Sequence, residues 1–230
     1  AKIILNDATY TYDGQSHTIV GTTESPAGLE LGYKYYDKNR REITQEEIVD
    51  AGTYYVEAYI VSNNYEVEKV TKTLTINPRG LKLTGITMVK KTYDGTGKVE
   101  ADLNIAIISG AVPELGIVDG ESLSLDGSSV VWTYENYNAG TRTATRNGIY
   151  KLVGEGTTKA SNYTLLSENQ VDAVLGEIEP IVLTVVVTAE DKDYDGTTEA
   201  KGVKINAVNS SDIIKDETVS FIFTSASYED

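Results

Sequence analysis

The tripeptide Tyr-Asp-Gly occurs three times in this chain of 230 residues, and its sequence context indicates a repeat architecture. The second and third copies lie in hexapeptides that agree at five of six positions. Two further landmarks, Ala-Gly-Thr and Asn-Tyr, recur in the same order after the first two copies, and each of these closes on Ile-x-Pro. The sequence therefore predicts a tandem array of similar domains. The three motifs are Tyr12-Asp13-Gly14, Tyr93-Asp94-Gly95 and Tyr194-Asp195-Gly196.

The closing prolines, Pro78 and Pro180, set the predicted domain boundaries. Residues 1–78 form the first domain, residues 79–180 the second, and residues 181–230 the N-terminal half of a third repeat. The second domain is longer and contains Asn147-Gly148, a two-residue turn signal, so we predict an additional hairpin there. A truncated third repeat leaves an open sheet edge, so we expect a second chain to pair with it or to exchange strands in a dimer.

Hydrophobic periodicity indicates antiparallel sheets. Tyr54, Val56 and Ala58 belong to a set that alternates with period two, with aromatic residues on both faces, and Leu81 and Leu83 alternate with Lys82 and Thr84. Such alternation is typical of strands with one packed face and one solvated face. The run 181–187 is more uniformly apolar and predicts a strand covered on both sides. We expect one short helical turn at most, where a threonine and a glutamate have capping-box spacing at residues 44–47. The predicted fold is all-β, built of antiparallel β-sandwiches, with a β-grasp fold as the alternative.

Composition and charge exclude several functions. The chain has 35 acidic and 20 basic residues, a net charge of −15, spread evenly along its length. Such a surface repels phosphate and anionic lipid, so we expect neither nucleic-acid binding nor membrane insertion. With no cysteine and only His17 for imidazole chemistry, thiol and histidine catalysis have almost no basis. No glycine-rich phosphate loop occurs, and we predict no cofactor and no enzymatic activity.

One acidic stretch resembles the start of an EF-hand calcium loop. Asp191, Asp193 and Asp195 have the right spacing, but Gly202 stands where the bidentate glutamate is needed. We therefore favour a solvated acidic turn over a calcium site and predict no bound metal. The three Tyr-Asp-Gly motifs are likewise interpreted as structural turns, since glycine supplies a left-handed conformation and aspartate caps the reversal.

Tyrosines are the candidate ligand surface, because flat aromatic rings beside Asn and Asp often hold sugars. The alternative is that cross-strand tyrosine pairs stabilise exposed sheet faces, which we favour. The candidates in the first domain are Tyr33, Tyr35, Tyr36, Tyr55 and Tyr59. Those in the second are Trp132, Tyr134 and Tyr137.

The stretch Asp50-Ala51-Gly52-Thr53-Tyr54-Tyr55-Val56 resembles the immunoglobulin-type D-x-G-x-Y-x-C signature, with valine in place of the cysteine. The resemblance implies Ig-like sandwiches and a tyrosine corner in which the Tyr54 hydroxyl bonds back to the backbone. Val56 would then fill the core without a disulfide.

The motifs together resemble the YDG and MBG domains of bacterial cell-surface proteins. The first domain is more similar to the MBG type and the later two to the YDG type. This resemblance implies an extracellular, cell-surface or cell-wall-attached region of an adhesin-like protein, arranged as an elongated array whose partners are neighbouring repeats of the same polypeptide. We expect a stalk or spacer without enzymatic activity. The alternatives are a module that binds host glycan or matrix protein through its tyrosines, and an accessory domain of a secreted glycosidase.

Overall fold

The computed structural model describes residues 1–103, 107–111 and 116–229; Asp230, which ends the third predicted repeat, lies outside them. Within these residues the regular structure consists of strands and four short 3-10 turns, so the all-β prediction is confirmed. The helix that a β-grasp fold requires is absent from these residues. The strands are β1 (Lys2–Ile4), β2 (Ala8–Thr11), β3 (Thr22–Glu24), β4 (Leu31–Tyr36), β5 (Glu42–Ile43), β6 (Gly52–Ile60), β7 (Val70–Asn77), β8 (Arg79–Thr84), β9 (Thr87–Met88), β10 (Lys91–Thr92), β11 (Lys98–Val99), β12 (Ala101–Asp102), β13 (Ile107–Gly110), β14 (Leu123–Asp126), β15 (Val131–Tyr134), β16 (Gly140–Asn147), β17 (Lys151–Gly154), β18 (Tyr163–Leu165), β19 (Ala173–Glu179), β20 (Val185–Glu190) and β21 (Lys201–Ala207).

The chain divides into two compact units that are not the predicted domains. The second predicted domain, residues 79–180, contributes strands to both units. Unit 1 comprises Ala1–Ile86, Leu103–Val130 and Asn147–Asp172, and unit 2 comprises Thr87–Asp102, Val131–Arg146 and Ala173–Asp230.

Unit 1 is organised around a five-stranded sheet in the order β2-β7-β6-β4-β5. β2 runs parallel to β7, and the remaining pairs are antiparallel. The predicted alternation along β6 is confirmed, because Val56 and Ala58 are fully buried while Thr53 is exposed. Leu74 and Ile76 of β7 bury the same face and extend the core.

Smaller sheets complete unit 1. β8 lies between β13 and β18, β14 pairs with β17, and β1 pairs with β3. Leu81 and Leu83 of β8 are buried while Lys82 and Thr84 are exposed, as their alternation predicts. Leu81 joins the same apolar core as the five-stranded sheet. The core of unit 1 therefore combines residues from both sides of Pro78.

Unit 2 contains a five-stranded sheet in the order β10-β19-β16-β15-β11, together with the pairs β12-β9 and β20-β21. Its first strand, β10, is parallel to β19, and β19 is antiparallel to β16. The first three strands correspond to those of unit 1, where the strand preceding a Tyr-Asp-Gly motif also lies parallel to the strand that ends before a proline. The last two strands differ, because the edge strand β5 follows β4 in the chain whereas the edge strand β11 precedes β15. Ala144 and Ile178 fill the buried face.

The hairpin predicted at Asn147-Gly148 is not formed by the strands on either side of it. β16 pairs with β19, whereas β17 pairs with β14 over four residues. The turn signal is genuine, since Gly148 has φ of +94°, but it connects two different sheets. β14 offers β17 a full antiparallel register, and this non-local pairing displaces the local one.

Other local predictions met mixed outcomes. The capping box exists: Gln45–Glu47 is a 3-10 turn whose Glu47 carboxylate accepts the Thr44 N–H at 2.7 Å. Three further 3-10 turns occur, so one helical turn was too few. The apolar run at 181–187 is not covered on both sides, because Val186 and Val187 are 47% and 57% exposed. Among the described residues, no helix has the length and apolar character to cross a bilayer.

Candidate functional site

The second and third Tyr-Asp-Gly motifs are held by the same lysine-aspartate-threonine arrangement. Asp94 Oδ1 accepts the Thr96 N–H at 2.8 Å and the Lys91 ammonium at 2.8 Å. Lys91 Nζ also donates to the backbone carbonyls of Thr96 and Lys98, both at 2.9 Å. The hydrogen bond from Lys91 is the main cause that lowers the pKa of Asp94. Gly95 has φ of +74°, so the turn needs glycine here.

The third motif repeats this arrangement. Asp195 Oδ1 accepts Lys192 Nζ at 2.8 Å and the Thr197 N–H at 3.0 Å, and Lys192 also donates to the Thr197 carbonyl at 2.8 Å. The Lys192 hydrogen bond, followed by those from Thr197, holds the pKa of Asp195 far below its usual range. Gly196 has φ of +76°.

The first motif uses different neighbours. Asp13 Oδ1 accepts the Gln15 N–H at 2.9 Å and lies 3.0 Å from His17 Nε2. The His17 ring stacks on Tyr10 with centroids 4.1 Å apart. The aspartate thus caps the reversal in all three motifs, and the side chain that supports it is a histidine in the first motif and a lysine in the other two.

Tyr12 of the first motif lies against a glutamate 109 residues further along the chain. The Glu121 carboxylate accepts hydrogen bonds from the hydroxyls of Tyr12 and Tyr163 through its two oxygens. The Tyr12 and Tyr163 rings meet edge to face with centroids 5.5 Å apart. Both rings are buried, with 3% and 5% of their surface exposed. A hydrogen bond to a charged acceptor typically contributes about 1.5–3 kcal/mol, so Glu121 is a strong fastening point.

Glu121 is the last residue of a β-turn, residues 118–121, which we call an acidic turn. Its N–H donates to the Val118 carbonyl at 3.0 Å, and Gly120 has φ of +84°. A Cβ atom on Gly14 would lie 3.0 Å from Val118 Cγ1. The motif glycine therefore allows Val118 to approach, while the motif tyrosine binds the glutamate.

Burial raises the pKa of Tyr12 to about 12, and the hydrogen bond to Glu121 adds to this effect. Burial, followed by the same carboxylate, raises the pKa of Tyr163 as well. Both shifts favour the neutral phenol, which is the form that donates to Glu121.

The second motif meets an equivalent acidic turn at residues 214–217 within unit 2. Tyr93 donates to the Glu217 carboxylate, and the Glu217 N–H donates to the Ile214 carbonyl at 3.0 Å. Asp216, with φ of +71°, occupies the left-handed position that Gly120 holds in the first turn. A Cβ on Gly95 would lie 3.1 Å from Ile214 Cγ2. We call each motif with its acidic turn a joint.

The joint in unit 2 is more open than the joint in unit 1. A cavity of about 360 Å³ lies beside it, lined by Tyr93, Ile214 and Glu217 together with Pro180 and Leu183. Hydrogen bonding to Glu217 is the main cause that raises the pKa of Tyr93. The same pairing of tyrosine and carboxylate thus occurs with both side chains more exposed.

The third motif has no acidic turn against it among the described residues. Tyr194 is 94% exposed, and a Cβ on Gly196 would meet no atom within 4 Å.

The candidate tyrosines of the first domain lie on two faces of one sheet. Tyr33 and Tyr35 are paired across strands with Ala58 and Val56 and so face the core. The Tyr35 hydroxyl donates to Gln45 Oε1 at 3.1 Å. These two tyrosines therefore belong to the packing of unit 1 and do not form a cluster with Tyr36.

Tyr36, Tyr55 and Tyr59 lie on the outer face of the same sheet. Tyr36 is directly opposite Tyr55, and the Arg40 guanidinium lies 3.4 Å from the Tyr55 ring centroid. Tyr59 covers Gly32, where a Cβ would come within 2.4 Å of the ring. All three tyrosines are half-buried.

The candidate patch of the second domain does not form. Trp132 and Tyr134 are 2% and 3% exposed, so they belong to the interior of unit 2. Only Tyr137, at 51%, reaches solvent. The strand β15 alternates, and the two large rings occupy its buried positions.

Tyr54 donates to the Asp50 carbonyl at 2.9 Å, the backbone bond that the tyrosine-corner resemblance implies. The Asp50 carboxylate accepts Asn162 Nδ2 at 2.9 Å and Lys159 Nζ at 2.5 Å. Burial opposes ionisation of Asp50, but these two hydrogen bonds outweigh it and lower its pKa. Asn162 also accepts the Ala51 N–H at 2.8 Å. This bond joins the Ala-Gly-Thr landmark of the first repeat to the Asn-Tyr landmark of the second within unit 1.

The described residues contain no group of three or more His, Cys, Asp or Glu side chains placed to hold a metal ion. The Asp195 carboxylate, which the calcium alternative needs, is occupied by Lys192 and Thr197.

Sequence reasoning missed Glu121, Glu217 and Tyr163 as functional residues. The available signal is that the segments 117–123 and 213–219 align between the second and third copies with glutamate at the same place. Nothing local in either segment indicates that a tyrosine more than 100 residues upstream is its partner.

These features define a class of protein: an all-β chain in which the first two Tyr-Asp-Gly motifs bind acidic turns distant in sequence. Residues 1–80 match the MBG domain family and residues 77–171 match the YDG domain family. The chain therefore contains an MBG-type domain and a YDG-type domain, which confirms the resemblance to these two domain types for residues 1–171. A comparison with curated proteins found no match. The solved structure of murine CEACAM1b aligns with 78% of this chain and 100% of its own chain, at 9% identity. The TM-score of 0.22 is too low to indicate a shared fold.

Proposed function

We propose that this chain is a non-enzymatic structural repeat region, a stalk or spacer, of a large bacterial cell-surface protein. The observation that carries the proposal is the pair of joints. In each, the motif tyrosine of one sequence repeat donates to the glutamate of an acidic turn in the next. Contacts of this kind make consecutive repeats depend on each other, which is what a load-bearing region needs.

The charge state of the carboxyl groups supports a structural role. A general acid needs a raised carboxyl pKa, produced by burial in apolar surroundings. The carboxyl groups with a resolved shift move in the opposite direction, because hydrogen bonds stabilise their ionised forms. They are Asp37, Asp50, Asp94, Asp126 and Asp195.

The cell-surface setting is part of the same proposal. The even negative charge and the lack of cysteine suit a soluble extracellular region stabilised by its sheets. The tandem character of the domains is supported by the arrangement that the two five-stranded sheets share, in which the first strand lies parallel to the last and the last is antiparallel to the strand before it.

Single-molecule force spectroscopy tests the load-bearing role. The full chain is pulled through its two ends, and the unfolding forces are compared for wild type, Glu121→Gln and Glu68→Gln. Glu68 is an exposed residue of the same unit and serves as the matched control. We expect Glu121→Gln to lower one unfolding force and Glu68→Gln to lower none. Equal forces in all three proteins would contradict the proposal.

A second function, glycan or matrix binding, is favoured by one observation. A cavity of about 610 Å³ beside the outer sheet face is lined by Tyr59, Tyr65, Asn63, Asn64 and Glu66. Tyr65 is 47% exposed, and aromatic rings beside amide groups are suited to sugars.

The binding function is tested on a glycan array together with mucin, fibronectin and collagen. Tyr59→Ala removes the cavity wall, and Tyr55→Ala alters the neighbouring outer face as a matched variant. A saturable hit that Tyr59→Ala abolishes supports binding at the cavity. If no ligand on the panel binds, the binding function is contradicted and only the structural role remains.

A further inference from the structure

The third motif is built like the second but has no partner among the described residues. In both motifs the aspartate carboxylate accepts hydrogen bonds from a lysine ammonium and from a threonine N–H. The two distances in the third motif agree with those in the second within 0.2 Å. The turn therefore keeps its conformation without an acidic turn against it. The site is preorganised, so binding a partner costs it little conformational entropy.

The exposure of the third motif contrasts with the other two. Tyr12 is 3% exposed and Tyr93 is half-buried, whereas Tyr194 is 94% exposed. The space that Val118 and Ile214 fill against Gly14 and Gly95 is empty beside Gly196. An open cavity of about 710 Å³ adjoins Tyr194, Gly196 and Thr197 and is bounded on another side by Tyr228.

We propose that the third motif is a docking site for the acidic turn of a further YDG-type domain. The ligand is a β-turn with a branched apolar residue at its first position and a glutamate at its fourth, as at residues 118–121 and 214–217. The apolar side chain would contact Gly196, and the glutamate would accept the Tyr194 hydroxyl. The inference rests on the proposed function, because it treats the two filled joints as the pattern for the third.

A second copy of this chain does not fit the requirement. Glu121 is held by Tyr12 and Tyr163, and Glu217 is held by Tyr93, so both acidic turns are occupied within their own units. The partner is thus a separate YDG-type domain whose turn is free.

The probe is a head-to-tail cyclic peptide with the sequence of residues 117–123, which contains the acidic turn. It is titrated into the 15N-labelled full chain and followed by amide chemical shifts. We expect saturable shifts at Tyr194, Gly196 and Thr197 and none at Gly14 or Gly95. Tyr194→Phe in the chain, or glutamine for glutamate in the peptide, should weaken binding about tenfold, the effect of one hydrogen bond to a charged acceptor.

Three results would overturn the inference. The first is no shift at Tyr194 with millimolar peptide. The second is an affinity of the glutamine peptide, or of the Tyr194→Phe chain, that equals the affinity of the unmodified pair. The third is self-association of the chain alone that Tyr194→Phe abolishes. The last would make a second copy the partner. Force measurements on Glu121→Gln are independent of Tyr194. If Glu121→Gln lowers the unfolding force as expected but the peptide does not bind, only the docking site is refuted. If Glu121→Gln leaves the unfolding force unchanged, the role of the joints is refuted.

Discussion

Replacing Glu121 by alanine should destabilise unit 1 more than any exposed substitution. The change removes the acceptor of two hydroxyls on side chains that are only 3% and 5% exposed, Tyr12 and Tyr163. Each bond to a carboxylate is worth about 1.5–3 kcal/mol. Glu121 itself is half-buried, so water recovers part of the loss. We expect the free energy of unfolding to fall by about 2–4 kcal/mol.

The assay is equilibrium urea unfolding followed by far-UV circular dichroism and extrapolated to zero urea. Glu121→Gln keeps one carbonyl acceptor and should lose about half as much. Glu68→Ala, on the exposed loop of the same unit, should stay within about 0.5 kcal/mol of wild type. Tyr12→Phe combined with Glu121→Gln should cost less than the sum of the single changes, because both remove the same bond. A Glu121→Ala protein as stable as Glu68→Ala would refute the reasoning.

Three further predictions concern other parts of the chain. Gly176→Ala places a Cβ 2.2 Å from the Tyr134 hydroxyl, so thermal denaturation should show a loss of about 1–3 kcal/mol that Tyr134→Phe partly restores. Tyr134→Phe alone should stabilise the protein slightly in the same assay, because this buried hydroxyl lacks a hydrogen-bond partner in the described part of the chain. Stability should fall as pH rises from 10 to about 12 in urea titrations, since the unfolded chain ionises Tyr12 first, and Tyr12→Phe should reduce that slope.

Local pattern was enough to predict the alternation along β6 and β8 and the faces that these two strands bury. Val56 and Ala58 are fully buried because the two-residue period of a strand is fixed by its backbone. The Tyr54 bond to Asp50 spans four residues and is equally local.

The predictions failed where partners distant in sequence decide the structure. Asn147-Gly148 is a good hairpin turn, yet β17 pairs with β14 because that register is available in the folded unit. Trp132 was predicted to lie on the surface, but it is buried because β15 lies inside the sheet, between β16 and β11. The Tyr12 contact with Glu121 crosses 109 residues, a separation that no short window can detect.

The spacing of the joints has an evolutionary consequence. Each joint combines a motif from one repeat with a turn from the next, so any duplicated stretch of one repeat length contains one motif and one turn, wherever the duplication starts. The new copy supplies its turn to the older motif and presents its own motif to whatever follows. A gene of this kind can lengthen by unequal recombination at arbitrary breakpoints without having to evolve a new interface.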